Sequence, residues 1–518
     1  MMNEAIDGKQ NAQTVTAHQI NISIAKQVAG LVKSTLGPYG MDKEMVDAAG
    51  EVVMTNDGAT ILKETKLNHP SAKIITEVAR TQEENCYDGT TTSVVITGEL
   101  MDKAQDLLDK KIHPTRIAKG FALANRKAQE VLPNMAVEVD DSILQTVAGT
   151  AMTGKTAEID GDHLSSVCVE VANATTLDNI SIVRRSGGKV SDSVAIAGIL
   201  VDREKSHHNM PDVVKDAKIA LVDVDITLPE FAQQVQVQVT DNAAVQQFIE
   251  SRKEQLHGIA QNLIDSGATV IFCMRDIDRY VQEYLAKNGI YAARRVARSD
   301  LEAVSKATGA RIVSAIDDLK QEDLGSSGEV EEIKVGEKPL IKLTGNKTDA
   351  AVSVLIRGPT QSATDEISRA FDDAVGVTTV AIEDGMVVPG GGAPYLFLSK
   401  ELKEYANSVG GREQLAIAAF AEALEVIPSA LAENSGLDPL DTLISLRQLH
   451  SSESGSVYGV DVEEGGGKDM LEAGVVEPTR VVSQALESAT NIASQLLRID
   501  NIIEMHSVKE IGDDGFNY

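Results

Sequence analysis

The spacing of apolar residues changes twice along this chain, and that change constrains the fold more than any single motif. Near the start, Ile20, Ile24, Val28 and Leu31 recur at helical spacing. Beyond about residue 209 the pattern turns to short buried runs, Ile219-Ala220-Leu221-Val222 and Val270-Ile271-Phe272-Cys273, and to the alternation of Val235, Val237 and Val239 with glutamines, all of which predict strands. Near the end, Val481, Val482, Ala485, Leu486, Ala489, Ile492, Ala493 and Leu496 return to a helical stripe. With 518 residues the chain is too long for one core, and its length predicts about three domains. A helical, then α/β, then helical texture predicts an α/β domain inserted into a helical one.

Local signals sharpen this outline. Gly37-Pro38 ends the first helix. Met45 to Thr55 reads as a hairpin turning at Gly50, and a helix from about Ser71 leads to a break at Asp88-Gly89. A second helix follows with Val94, Val95, Leu100, Met101, Leu107 and Leu108 on its apolar face. Ser299-Asp300-Leu301-Glu302 matches a capping box, with Gly309 at the C-cap. Glu477-Pro478 predicts a helix start with proline at its first position, and Ile499 to Ile503 reads as a terminal strand. The predicted helix from Asp241 to Ser266, closed by Gly267, carries Val245, Phe248, Ile249, Leu256, Ile259 and Leu263 in a stripe. That stripe either packs on the sheet or grips apolar partners.

Composition excludes several functions. Aromatic residues make up 3% and tryptophan is absent, so there is no stacking platform for carbohydrate or single-stranded nucleic acid. A net charge of −30 repels phosphate backbones, and no nucleic-acid partner is expected. Cys86, Cys168 and Cys273 are far apart and form no Cys-x-x-Cys pair, which predicts neither a disulfide framework nor a zinc site and points to a reducing, cytoplasmic compartment. No apolar run approaches a membrane span, the first residues form no secretion signal, and no membrane association is expected. His207-His208 has no acidic or thiol cluster around it.

Six stretches carry possible chemistry. Asp88-Gly89-Thr90-Thr91-Thr92-Ser93 stands immediately before a helix, where free amides and the positive dipole end suit phosphate and Asp88 offers magnesium a hard oxygen; it reads equally as a plain N-cap. Thr35-Leu36-Gly37-Pro38 is a helix stop whose backbone can face a phosphate. Thr55-Asn56-Asp57-Gly58-Ala59-Thr60 is either an Asx turn or a metal or water position. Asp372-Asp373 and Gly390-Gly391-Gly392 come far later. Gly149 to Thr156 satisfies the Walker A pattern, but Ile143, Leu144 and Val147 before it look helical where that motif needs a strand. Lys155 is then a mobile cation for a γ-phosphate rather than part of a true P-loop.

Taken together these pieces resemble the group II chaperonins, the family of the archaeal thermosome and the eukaryotic cytosolic chaperonin. The match runs from about Gln13 to Ile503 through Leu36 to Lys43, Thr55 to Leu62, Asp88 to Thr92, Val388 to Ala393, Glu433 to Pro439 and Leu497 to Asp500. The resemblance implies a multidomain subunit: a mainly α-helical equatorial domain (1–140 and 392–518), a small α+β intermediate hinge domain (141–208 and 359–391) and an α/β apical domain (209–358) with a helical protrusion, or lid, near 241–266. It implies ATP and Mg2+ as cofactors, with Asp88 on the metal. Leu36, Gly37, Pro38, Gly58, Gly89, Thr90, Thr91 and Thr92 would lie along the nucleotide, and Gly391 and Glu477 beside its ribose and base. Asp373 would orient the attacking water, with Asp57 near it and Lys155 sensing the γ-phosphate. The partners implied are unfolded client proteins and like subunits in a stacked double ring.

This chain also departs from the resemblance. Tyr87 stands where the family often has glycine, Tyr39 where it often has lysine, and the chain stops at Gly515-Phe516-Asn517-Tyr518 where relatives carry a Gly- or Met-rich tail. Two rival readings are a chaperonin-like scaffold with weak or lost ATPase activity, against which the retained Asp57, Asp88 and Asp373 argue, and a small-molecule kinase, for which no acceptor pocket is signalled.

Overall fold

A computed structural model describes residues 17–46, 50, 52–65, 67–154, 160–228, 242–336, 338–346, 351–452 and 454–501. The first stretch carries helix α1 (Ala17–Lys33), the hairpin β1 (Lys43–Val46) and β2 (Val52–Thr55), then α2 (Gly58–Glu64), α3 (Pro70–Cys86), α4 (Thr90–Asp109), α5 (Pro114–Val131), the short strand β3 (Val137–Glu138) and α6 (Asp141–Met152). The middle carries α7 (Gly161–Ala174), β4 (Ile180–Ser186), β5 (Val194–Ala197), β6 (Ile199–Val201), β7 (Val213–Val222), α8 (Asn242–Asp265), β8 (Val270–Cys273), α9 (Arg279–Lys287), β9 (Tyr291–Ala293), α10 (Arg298–Thr308) and β10 (Ile312–Val313). It closes with β11 (Gly325–Val335), β12 (Lys338–Asn346), β13 (Val352–Gly358) and α11 (Gln361–Asp384). Last come β14 (Met386–Pro389), α12 (Ala393–Ser408), α13 (Glu413–Leu424), α14 (Val426–Asn434), α15 (Pro439–Leu449), β15 (Tyr458–Val460), β16 (Gly467–Asp469), β17 (Val476–Pro478) and α16 (Thr479–Arg498).

The chain divides into two compact units, residues 1–143 with 383–518, and residues 144–382. In the first, α1, α3, α4, α5, α12, α13 and α16 share one apolar core. The α16 stripe predicted from spacing is buried at Val481, Val482, Ala485, Leu486, Ala489, Ala493 and Leu496. On α1 the buried line is Ile22, Ala25, Val28, Ala29 and Val32, so Leu31 is exposed; the inward face is rotated from the one counted on Ile20 and Leu31 because the small Ala25 and Ala29 let α4 approach at Gly98. A small sheet, β17-β14-β3, ties three distant segments together.

The second unit is built on two sheets. In one, β13 lies parallel to β4 and antiparallel to β5, with α7 and α11 packed against it. The other runs β6-β12-β11-β7-β8-β9 with β10 also beside β7; its parallel pairs β7–β8 and β8–β9 are buried on both faces, which is why Val270 to Cys273 reads as a continuous apolar run. On α8, Leu256, Ala260 and Leu263 pack on this sheet while Ile249 is exposed, and Gly267 ends the helix at φ 83°. Val235, Val237 and Val239 lie outside the described residues.

Four expectations need correction. The capping box at Ser299 is not formed: the N-cap is Ala297, without a side-chain cap, because Glu302 pairs with Arg298 instead, while Gly309 does close the helix. Pro478 is the N-cap of α16 rather than its first residue, since Glu477 and Pro478 belong to β17. Residues 499–501 form no strand, and Ile502 and Ile503 lie outside the described residues. The stretch Glu413–Asn434 is long and apolar enough to cross a membrane, contrary to the sequence reading, but most of it is buried within its unit.

Candidate nucleotide site

The Asp88 loop is set by the two helices it joins. Helix α3 stops at Tyr87, whose φ of 59° turns the chain, and α4 starts from Gly89. Gly89 has no side chain to cap that helix, so its first turn, from Thr90, starts without a side-chain cap. The Gly89 amide donates to the Asp88 carboxylate at 2.6 Å. Beneath the loop, the buried amide of Gln82 donates to the Asp88 carbonyl at 2.9 Å and to the Val481 carbonyl at 3.1 Å, fixing the loop to the first turn of α16.

Asp57 is the N-cap of α2, accepting from the amides of Thr60 at 2.7 Å and Ala59 at 3.3 Å. It also accepts from the Thr90 hydroxyl at 3.3 Å. The Asx-turn reading therefore describes its backbone role, and the Thr90 bond puts it against the phosphate-loop candidate. Gly58 is required here: a Cβ on it would lie 2.5 Å from the Thr91 hydroxyl and 3.2 Å from the Thr91 backbone.

The Leu36–Pro38 turn and Gly390–Gly392 belong to the same unit. The turn through Leu36, Gly37 and Pro38 is held by α14: Asn434 donates to the carbonyls of Lys33 at 3.0 Å and Leu36 at 2.8 Å, and Gly37 lies against Leu431. Pro428, at the other end of α14, backs Gly392. Gly391 has φ 61°, a conformation that favours glycine, and a Cβ there would lie 2.7 Å from the Met470 sulfur. From Gly390 the chain leads back into β14, where Val388 pairs with Glu477. Glu477 in turn feels Asp88, so a line of neighbours runs Gly37, α14, Gly391–Gly392, Glu477, Asp88, Thr90 and Asp57.

The electrostatics of this line are unfavourable without a cation. Burial, and then the neighbouring Asp88, push the Glu477 carboxyl up to about 8. Burial and the same two carboxylates also hold the phenol of Tyr395 well above its usual range, and its buried hydroxyl lacks a hydrogen-bond partner. Among the described residues no three His, Cys, Asp or Glu side chains cluster as a metal cage. That fits magnesium, which is usually held by one or two carboxylates plus substrate phosphates. The uncapped amides and threonine hydroxyls suit the phosphates, and Asp88 supplies the hard oxygen.

Asp373 lies on α11 in the other unit, half-buried, with Asp372 before it. Desolvation, then Asp373, push the Asp372 carboxyl up to about 6, while Arg184 pulls it down. Lys155 lies outside the described residues. The Walker-like stretch does not follow a strand: Gly149 to Met152 are the last turn of α6. His207 and His208 stack on one another at 4.4 Å. The three cysteines are free and buried, each thiol pushed up to about 12 chiefly by desolvation.

Sequence reasoning missed Gln82, Tyr395 and the structural role of Asn434. Gln82 left a trace, a polar residue on the inward line Ile75, Val78, Ala79, Gln82, Cys86 of α3. Asn434 left none, because its partners stand about 400 positions away.

The profile of the TCP-1/cpn60 chaperonin family matches residues 28–507. A thermosome subunit of Methanopyrus kandleri is 47% identical over 511 residues, covering 96% of this chain and 93% of the relative. A thermosome subunit of Methanocaldococcus jannaschii is 46% identical over 512 residues (96% and 94%), and thermosome subunit alpha of Archaeoglobus fulgidus 45% over 523 (98% and 96%). Among solved structures, the open-state monomer of a group II chaperonin from Methanococcoides burtonii is similar with a TM-score of 0.65 and 40% identity, covering 80% of this chain and all of that one.

Proposed function

The chain belongs to the TCP-1/cpn60 chaperonin family as a group II chaperonin subunit, and from that premise we propose that it hydrolyses ATP to drive closure of a ring chamber around unfolded protein. The observation that carries the nucleotide reading is the line of neighbours in the first unit, where Gly58 is packed on Thr91, Asp57 is bonded to Thr90 and Glu477 lies near Asp88. We assign the first unit to an equatorial ATP-binding domain. The second holds an intermediate hinge around the β4-β13-β5 sheet and an apical client-binding domain around the larger sheet, with α8 at the base of its lid.

In this reading the amides of Thr90 to Thr92 cradle the phosphates, Asp88 takes Mg2+, and Leu36 to Pro38 with Gly391 and Glu477 bound the nucleoside. The metal, when bound, would neutralise charge developing on the phosphates. Asp373 orients and accepts a proton from the attacking water, a role typically worth roughly 10²–10⁴ in rate. Asp57 steadies that water and Lys155 senses the γ-phosphate. Turnover in this reading is slow and gated by a conformational step.

Asp373→Ala tests the assignment. It is expected to leave ATP affinity near wild type while lowering hydrolysis by at least about 10²-fold; unchanged turnover would overturn the role of Asp373. Asp88→Ala is expected to abolish the magnesium dependence of nucleotide binding. Electron-microscope end views are expected to show rings, and a stable monomer would contradict the folding-chamber reading.

A further inference from the structure

The second unit buries a cation that no carboxylate answers. Strand β13 lies parallel to β4, and the register sets Arg357 beside Arg185. Side chains alternate along a strand, so both arginines lie on the face that carries Leu355 and Val183, the face covered by Ile333, Val335 and Leu340 of the β11–β12 hairpin. Arg185 is answered: both of its Nη groups donate to Asp202, one of them at 3.0 Å. Arg357 is 7% exposed, and among the described residues it forms no ion pair. Its Nε is sealed from solvent without a hydrogen-bond partner, whereas the two Nη groups are not sealed, so the end of the fork reaches solvent.

This arrangement is costly as it stands. Like charges opposite one another in a sheet repel, and a buried charge without a partner is among the most unfavourable features a core can hold. A lysine could relieve the cost by losing its proton; a guanidinium cannot. Two arginines and one carboxylate leave one positive charge, and a small anion would neutralise it.

Two glycine turns shape the space around the cation. The amides of Gly187 and Gly188, just after β4, donate to the Gly358 carbonyl at 2.8 and 3.2 Å, which lays that turn over the end of β13. A Cβ on Gly188 would lie 2.5 Å from Nη2 and 2.7 Å from Nε of Arg357, so the guanidinium rests on bare backbone there. A Cβ on Gly336, in the turn between β11 and β12, would lie 3.7 Å from Nη2 and 4.0 Å from Nη1.

We infer that Arg357 forms the floor of an oxyanion site in the second unit, holding a free phosphate ion on its Nη groups between the Gly188 and Gly336 turns. The planar fork matches two oxygens of such an ion, and Arg185 adds to the attracting field. With so little of Arg357 open, a free ion reaches it and a phosphate carried on a larger molecule does not. Bound there, the ion would fasten the β11–β12 turn to the β4-β13-β5 sheet. Nothing in this site depends on the Asp88 loop, which belongs to the other unit.

The test is equilibrium dialysis of labelled inorganic phosphate against the full-length chain, free of nucleotide and magnesium, at ionic strength held constant with chloride. Wild type is expected to hold one phosphate per chain that Arg357→Met binds at least about 10-fold more weakly and that Asp88→Ala retains. Arg357→Lys, which keeps the charge but loses the fork, is expected to fall between. Gly188→Ala, which displaces the guanidinium without removing it, is expected to weaken uptake as well. Phosphate should also raise the thermal midpoint of wild type and not that of Arg357→Met. No saturable uptake by wild type overturns the inference, and so does uptake that Arg357→Met retains in full. Uptake lost in Asp88→Ala but kept in Arg357→Met places the ion in the nucleotide loop and overturns it too. Glu337, next to Gly336, lies outside the described residues; uptake that appears only in Glu337→Gln would make that carboxylate the counter-ion and overturn the site. O-phosphoserine is expected not to compete, and competition equal to that of phosphate would overturn the assignment to a free ion. If Arg357→Met does not fold, Arg357→Lys and Gly188→Ala decide: weakened uptake in both supports the site, and wild-type uptake in both overturns it.

Discussion

Tyr87 occupies a backbone conformation that side-chain-bearing residues avoid. With φ 59° and ψ 5° it closes α3 in the left-handed region, where a residue other than glycine costs roughly 1–2 kcal/mol. The departure noticed in the sequence thus has a definite physical cost, placed one residue before Asp88. Tyr87→Gly is expected to stabilise the first unit by about 1 kcal/mol, seen as a higher denaturation midpoint; a lower midpoint would mean that contacts of the half-buried ring outweigh the strain. Glu477 gives a second test at this scale. Its carboxyl sits near 8 in the folded chain against 4.5 when unfolded, so between those values the folded state holds a proton that the unfolded state has lost. The stability of nucleotide-free protein in chelator should therefore fall as pH rises from about 4.5 to about 8 and level off above, by an amount on the order of a few kcal/mol. Glu477→Gln should flatten that slope and raise the midpoint at pH 8; thermal unfolding across the pH series reads both effects.

Between elements, the turn after α1 depends on α14. Asn434→Ala removes both side-chain hydrogen bonds to the Lys33 and Leu36 carbonyls, each worth about 1 kcal/mol. The expected result is ATP affinity weakened by roughly 3- to 10-fold with kcat little changed, since the loosened element lines the nucleotide and not the attacking water; isothermal titration and steady-state rates separate the two. This example also marks what the sequence could disclose. Helix faces, the hairpin at Gly50 and the break at Asp88-Gly89 rest on spacing and on glycine or proline, which act within a few residues and are legible in the chain. The capping box at Ser299 failed because Arg298 competes for Glu302, a choice that local pattern does not settle. Gln82 with Val481 and Asn434 with Leu36 are pairs separated by 399 and 398 positions, and nothing local to either partner announces the other. The site could be guessed as a set of stretches, whereas what binds them together is read only from the fold.

For the whole molecule, the net charge of −30 sets a condition on assembly. Like subunits placed side by side repel, and that repulsion is relieved only as salt screens it: the Debye length falls from about 30 Å at 0.01 M to about 3 Å at 1 M ionic strength. Contacts that are apolar carry no charge, so the same change leaves them standing while the repulsion fades. Exposed apolar side chains on the first unit, among them Met41, Val46, Val52 and Met54 on and beside the β1–β2 hairpin, are available for such contacts. The ring proposed for this chain should therefore be strengthened by salt, opposite to an assembly held by intersubunit ion pairs. Sedimentation velocity at fixed protein concentration is expected to show smaller species at about 10 mM potassium chloride and a single large species near 1 M. A large species that dissociates as salt is raised would show that complementary charges hold the subunits together, and the acidic surface would then be patterned at the contacts rather than uniformly repulsive.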